Sequence, residues 1–149
     1  MTRHIVRAGV IAALYAAISI FLAPISFPAV QFRAAEALTL LPILFPEAVF
    51  GVTLGCLISN IYGGLGIYDI VGGTFATFLA AVATYYWRRS WIAYASPIVI
   101  NALVVSSYLA VIAGLPYWLT AASIALGEAG VVIVLGIPLI RWLSRVMRQ

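Results

Sequence analysis

The chain has 149 residues, of which 65% are hydrophobic and only 8% are charged. Soluble proteins are about 45–50% apolar and about 25% charged, and a small domain has too much surface to cover with so few polar side chains. The mean hydropathy of the chain, +1.16, also indicates an unusually apolar protein. Composition therefore excludes a soluble domain and predicts an integral membrane protein with room, at about 20 residues per helix, for about six or seven spans.

The charged residues exclude several kinds of chemistry. The chain contains eight arginines, four acidic residues and no lysine. A phosphate-binding glycine-rich loop needs its lysine, so we predict no cofactor in this chain; if the protein uses ATP, another subunit hydrolyses it. Cys56 is predicted to be a small buried hydrophobe, and the one histidine, His4, precedes the first apolar segment. We therefore predict no metal site, no nucleic-acid binding and no enzyme activity.

In chain order, the apolar segments and the Pro and Gly residues between them predict six transmembrane helices in one membrane domain, residues 1–149. The predicted spans are 5–22, 33–45, 48–62, 68–87, 91–113 and 117–143. We expect the first to be a retained span and not a cleaved signal peptide, because the rest of the chain is equally apolar. The second is short for a span at about 1.5 Å per residue, and Pro138 is expected to bend the sixth.

The arginines predict the orientation of this all-α polytopic fold. Six spans place both termini on one side of the membrane, and seven of the eight arginines, all except Arg33, collect on that side. The positive-inside rule then makes both termini cytoplasmic. The linkers 24–32, 63–67 and 114–116 are predicted to face outward, and Glu47, at a cytoplasmic turn, is expected to be solvated.

Polar residues within the spans indicate a site. A carboxylate at the centre of a spanning helix costs about 2.5–3.5 kcal/mol on insertion scales, so such a residue marks a cavity or a pathway. Glu128 and Asn101 fall near the middle of their spans, and other polar residues gather near the outward ends, where a tyrosine can stack on a planar ligand. The predicted substrate-binding residues are Arg33, Glu36, Asn60, Tyr68, Asp69, Asn101 and Glu128.

Five of these seven residues also have a structural interpretation. Arg33 and Glu36 are spaced i, i+3 and can pair with each other, and Asp69 can cap its own helix. Asn101 can serve helix packing through an interhelical hydrogen bond, and Glu128 can be a protonated structural glutamate. The sequence leaves these alternatives open.

Small residues recur every four positions along the first span and form a GxxxG pair, Gly51 and Gly55, in the third. Such stripes let helix backbones approach closely. The pair in the third span is predicted to serve internal packing, whereas the first span is as well suited to an external partner as to internal packing. The predicted partner-docking residues, which lie beside Gly9, are Ala8, Ala12, Ala13, Ala16 and Ala17.

Five segments of the chain resemble the QueT family, and the likeness runs from the first span to Pro138. The segments are residues 32–42 (FRAAEALTLLP), 55–60 (GCLISN), 69–73 (DIVGG), 101–103 (NAL) and 126–128 (LGE). The resemblance implies the substrate-binding (S) component of an energy-coupling factor (ECF) transporter for precursors of the tRNA base queuosine, in the cell membrane of a prokaryote. It also implies a transmembrane coupling subunit and two ATP-binding cassette ATPases as partners. The first outward loop, with Pro24, Ser26, Pro28 and Gln31, would form a lid over an outward pocket.

The predicted substrate is therefore a deazaguanine such as preQ1, preQ0 or queuine. Carboxylates accept N–H bonds from a guanine-like edge or pair with an aminomethyl cation, and asparagine offers both a donor and an acceptor. Two alternatives are a small proton-coupled secondary transporter that uses Glu128, and an S component for another vitamin. A purely structural membrane subunit would leave the polar residues unexplained.

Overall fold

The computed structural model describes residues 2–22, 33–64 and 66–148, and these residues form six helices and no strand. The first is Thr2–Phe21, the second is a 3-10 helix over Ala34–Ile43, the third is Ala48–Gly63, the fourth joins a π-helical turn Asp69–Gly73 to Thr74–Tyr86, the fifth is Ile92–Ala113, and the sixth is Tyr117–Val146. The all-α prediction is confirmed, and the helix ends lie within a few residues of those predicted. The proposed lid residues Pro24, Ser26, Pro28 and Gln31 lie outside the described residues.

Three of the described helices are long and apolar enough to cross a membrane: Thr2–Phe21, Ile92–Ala113 and Tyr117–Val146. The second and third helices are apolar but shorter. Just before Pro138, the sixth helix contains a π-helical segment over Val132–Gly136. The count of six spans and the cytoplasmic termini stay predictions.

The second helix is the centre of the bundle, because it contacts all five other helices. Its side chains are buried on nearly every face, as in Ala35 and Leu40, which have no exposed surface. A 3-10 helix rises about 2.0 Å per residue, against about 1.5 Å for an α-helix. Ten residues therefore extend about 20 Å where an α-helix would extend about 15 Å, which partly compensates for the shortness of this segment.

The first and third helices run parallel and touch through the GxxxG pair. A Cβ atom on Gly51 would lie 2.8 Å from the carbonyl oxygen of Ala8, and one on Gly55 would lie 2.8 Å from that of Ala12. Both distances are shorter than the contacts that Cβ atoms make in real proteins, so only glycine at these positions lets the two helices pack this closely. The internal packing role predicted for the pair is confirmed.

This packing buries part of the predicted docking surface, whose role in docking stays a prediction. Ala12 and Ala16 are 3% and 7% exposed, because they lie on the face of the first helix that packs within the chain. Ala8 is half-buried, whereas Ala13 and Ala17 are exposed. A partner of this folded chain can therefore reach Ala13 and Ala17, but not Ala12 or Ala16.

Glu47 is not solvated as predicted: it is 8% exposed and is held by the first helix. Arg7 Nη1 donates to Glu47 Oε1 at 3.2 Å, and His4 Nδ1 lies 3.1 Å from Oε2. Burial raises the pKa of the Glu47 carboxyl, but hydrogen bonds from its own backbone, His4 and Arg7 outweigh that effect and lower the pKa below its ordinary value. These contacts fix the start of the first helix to the turn before the third.

Candidate functional site

Six of the seven predicted substrate-binding residues come together inside the bundle. None of them is more than 7% exposed; they are Arg33, Glu36, Asn60, Asp69, Asn101 and Glu128. The seventh, Tyr68, is 63% exposed, so the structure does not bring it to the site. It immediately precedes Asp69 on a helix that turns the carboxylate inward and the tyrosine outward.

One half of the site is an ion pair between Arg33 and Asp69. Arg33 Nη2 lies 3.5 Å from Asp69 Oδ2, and Arg33 Nη1 donates to Asn60 Oδ1 at 2.9 Å. Asn60 Nδ2 in turn donates to the backbone oxygen of Asp69 at 3.1 Å. The Asp69 carboxylate accepts from the side chains of Arg33 and Tyr108, so it takes part in this network.

The other half of the site is a carboxylate pair, Glu36 and Glu128, joined by one amide. Asn101 Nδ2 donates to Glu36 Oε2 at 3.3 Å and to Glu128 Oε1 at 3.0 Å. Tyr15 Oη donates to the other oxygen of Glu36. The carboxylate pair thus ties together the first, second, fifth and sixth helices.

Two acceptors in this network are open. Among the described residues, Asn101 Oδ1 and Glu128 Oε2 are buried and have no hydrogen-bond partner. A buried acceptor without a donor costs about 1–3 kcal/mol, and more when it is charged. Each such group therefore needs an explanation, and a bound ligand rich in N–H donors would supply one.

Two tyrosines of the site were missed by the sequence analysis. Tyr108 Oη donates to Asp69 Oδ1 at 2.7 Å, and Tyr15 contacts Glu36 as described. Both had a signal in the sequence: Tyr108 follows Asn101 by two helical turns, and Tyr15 is the only polar side chain between Arg7 and Ser19.

The Gly72–Gly73 pair makes room for these side chains. A Cβ atom on Gly72 would lie 2.8 Å from Cδ1 of Tyr108, and one on Gly73 would lie 2.8 Å from Nδ2 of Asn60. Both glycines belong to the π-helical turn that begins at Asp69. Such turns within α-helices are frequent at functional sites.

The site encloses very little empty space. A cavity of about 10 Å³ lies between the second, fourth, fifth and sixth helices, lined by Arg33, Glu36, Gly73, Thr77, Asn101, Val105, Ile124 and Glu128. That volume holds about one water molecule, whereas small-molecule sites enclose about 300–1,000 Å³. A larger groove of about 620 Å³ between the first and third helices is open and its surface is mostly apolar, with His4 and Glu47 as its ionisable lining residues. A ligand of the polar site must therefore displace some of its walls.

A bundle of apolar helices around a buried network of ionisable side chains is typical of membrane transport proteins, in which such groups mark solute or ion pathways. The family model of the QueT transporter matches residues 5–145, and the chain accordingly belongs to the QueT transporter family, as a multi-pass membrane protein. The queuosine precursor transporter QueT of Lactococcus lactis subsp. cremoris (strain MG1363) is 28% identical over 142 residues, covering 85% of this chain and 84% of the relative. No solved structure matches the chain.

Proposed function

We propose that this chain is the substrate-binding subunit of an ATP-driven importer of the ECF type and takes up a queuosine precursor, a deazaguanine such as preQ1, preQ0 or queuine. Membership of the QueT transporter family and the likeness to the queuosine precursor transporter of Lactococcus lactis support this substrate class. The chain has no lysine for a phosphate-binding loop. ATP would be hydrolysed by two ATP-binding cassette subunits, joined to this chain by a transmembrane coupling subunit.

The observation that carries the proposal is the pair of open acceptors on Asn101 and Glu128. Deazaguanines present several N–H donors on the pyrimidine edge and the pyrrole ring, and some also carry an amine. A carboxylate that accepts two such bonds is a strong and geometrically specific partner. The buried oxygens of the site are thus matched by a ligand of this class, and an apolar solute would leave them unpaired.

Entry of the ligand requires movement, because the cavity is far smaller than a bicyclic ring. The outward linker with Pro24, Ser26, Pro28 and Gln31 is our candidate for the lid. A fluorophore attached near Ala29 should change its mobility when substrate is added. A linker whose mobility is the same with and without substrate would argue against a lid there.

The coupling subunit would dock on the exposed face of the first helix, at Ala13 and Ala17. Small side chains on that face permit a close partner backbone. Ala8 lies at the edge of this face and is half-buried, while Ala12 and Ala16 are occupied by internal packing. This surface lies on the side of the helix opposite to Tyr15 and the buried site.

The test is ligand binding to the purified full chain, measured by calorimetry, beginning with identification of any small molecule that co-purifies. Removing one partner of a buried charged hydrogen bond costs about 2–5 kcal/mol. For the deazaguanine that binds the wild-type chain most tightly, Glu128→Gln and Asn101→Ala should each weaken binding by about 30-fold or more. Glu47→Gln makes the same chemical change outside the site and should leave affinity unchanged. Affinities within twofold of wild type in both site variants would contradict the proposal.

The carboxylate pair favours one second candidate, a proton-coupled secondary transporter. Two buried carboxylates that share one amide can hold a proton between them. Reconstitution in liposomes separates the two functions. Uptake that needs ATP and the ATPase module supports the importer, whereas accumulation by the isolated chain under a pH gradient supports the secondary transporter.

A further inference from the structure

The buried site contains more negative than positive side chains. Glu36, Asp69 and Glu128 are buried there with a single guanidinium, that of Arg33. All other described arginines, and His4, are exposed. Residues 23–32, which connect the first two helices, contain no charged side chain. The chain itself therefore provides one positive charge for three carboxylates.

This positive charge is paired with Asp69 at one half of the site, and Arg33 also lines the small cavity. Arg33 extends its two terminal nitrogens to Asn60 and Asp69. At the other half, the carboxylate pair receives hydrogen bonds from Tyr15 and Asn101, which are both uncharged. Neutral donors orient two buried carboxylates but do not neutralise them, so the pair is stabilised further by a proton or by a cation.

The small cavity beside the carboxylate pair has the acceptors that an ammonium group needs. An ammonium has three N–H donors and no acceptor. The residues that line the cavity offer Glu128 Oε2 and Asn101 Oδ1, both without a partner among the described residues, together with the Glu36 carboxylate. The cavity volume of about 10 Å³ suits a group about the size of water.

We propose that the carboxylate pair is a cation subsite and that the transporter prefers a deazaguanine with a 7-aminomethyl ammonium over neutral members of the class. This inference rests on the proposed function, since it assigns the orientation of the same ligand. The ammonium lies between Glu36 and Glu128, and the ring extends toward Asn60, Arg33 and Asp69. A neutral nitrile in that position offers no N–H donor and leaves the carboxylates unpaired.

Three ligands with the same ring test the inference: 7-aminomethyl-7-deazaguanine, 7-cyano-7-deazaguanine and unsubstituted 7-deazaguanine. Their affinities for the purified full chain are measured by calorimetry near neutral pH. We expect the aminomethyl compound to bind about 100-fold more tightly than either neutral ring. Neutral rings that bind within threefold of the cation overturn the inference and leave the proposed function intact. If none of the three binds, the proposed function fails and the inference fails with it.

A matched pair of variants locates the cation subsite. Glu128→Gln keeps the shape of the side chain and removes its charge, so the preference for the cation should fall about tenfold or more, while affinity for the neutral rings stays within threefold. Glu36→Gln provides the same test from another helix if Glu128→Gln is not recovered folded. Glu47→Gln, at the far end of the bundle, should keep the full preference. A site variant with the wild-type preference overturns the assignment to the carboxylate pair.

Discussion

Replacing Gly55 with alanine should force the first and third helices apart. The new Cβ atom would lie 2.6 Å from Cβ of Tyr15 and 2.8 Å from the carbonyl oxygen of Ala12. Both atoms belong to the backbone or the base of a side chain, so no rotamer change can move them away. Overfilling a packed interface costs about 1–3 kcal/mol, whereas glycine to alanine within a helix gains about 1 kcal/mol.

Gly9→Ala is the matched control, because it lies on the first helix and its new Cβ atom would meet nothing within 4 Å. The gain in helix propensity is common to both variants, so their difference isolates the steric cost of about 1–3 kcal/mol. For a chain of this size 1 kcal/mol corresponds to about 2–4 °C. The Gly55 variant should therefore unfold about 2–12 °C below the Gly9 variant in a thermal scan of the detergent-purified protein.

Replacing Gly55 with alanine should also weaken ligand binding. Displacing Tyr15 at its Cβ atom moves the hydroxyl group that donates to Glu36. Ligand affinity should consequently fall in Gly55→Ala and stay at the wild-type value in Gly9→Ala. Equal melting temperatures for the two variants would refute the conclusion that Gly55 is required for close helix packing.

Three further predictions follow from the contacts of individual side chains. The pKa of Glu47 is lowered in the folded protein. The contribution of this carboxylate to stability is therefore present above the ordinary carboxyl pKa of about 4.3 and is lost as the pH falls through the lowered value. The difference in melting temperature between wild type and Glu47→Gln should shrink between about pH 6 and pH 3, and a constant difference would contradict this prediction. Tyr108→Phe removes the 2.7 Å hydrogen bond to Asp69 and should cost about 1–3 kcal/mol in thermal unfolding; an unchanged melting temperature would show that the bond contributes nothing to stability. Ala13→Trp, on the exposed face of the first helix, should abolish co-purification with the ATPase module and preserve ligand binding. Ala12→Trp should instead prevent folding, because the Ala12 side chain is buried. Normal assembly of the Ala13 variant would argue against docking on that face.

The class of protein and the approximate positions of its helices follow from the amino-acid sequence. Long apolar segments interrupted by proline and glycine have few other stable arrangements in a membrane, and the described helices follow the predicted ones closely. The buried charges were also predictable, because a carboxylate within an apolar span is too costly to be placed there without partners or a function. Six of the seven predicted substrate-binding residues are indeed gathered in one cluster.

Which of these residues are hydrogen-bond partners depends on the tertiary structure. Asn101 bridges Glu36, which is 65 positions away in the chain, and Glu128, which is 27 positions away. Periodicity shows which residues share a face of one helix, but the rotation of that helix about its axis depends on its neighbours. For the first helix the rotation is set by close contact with Gly51 and Gly55. That contact turns Ala12 and Tyr15 inward and leaves Ala13 outside, because a backbone can approach so closely only where the facing residues have no side chain.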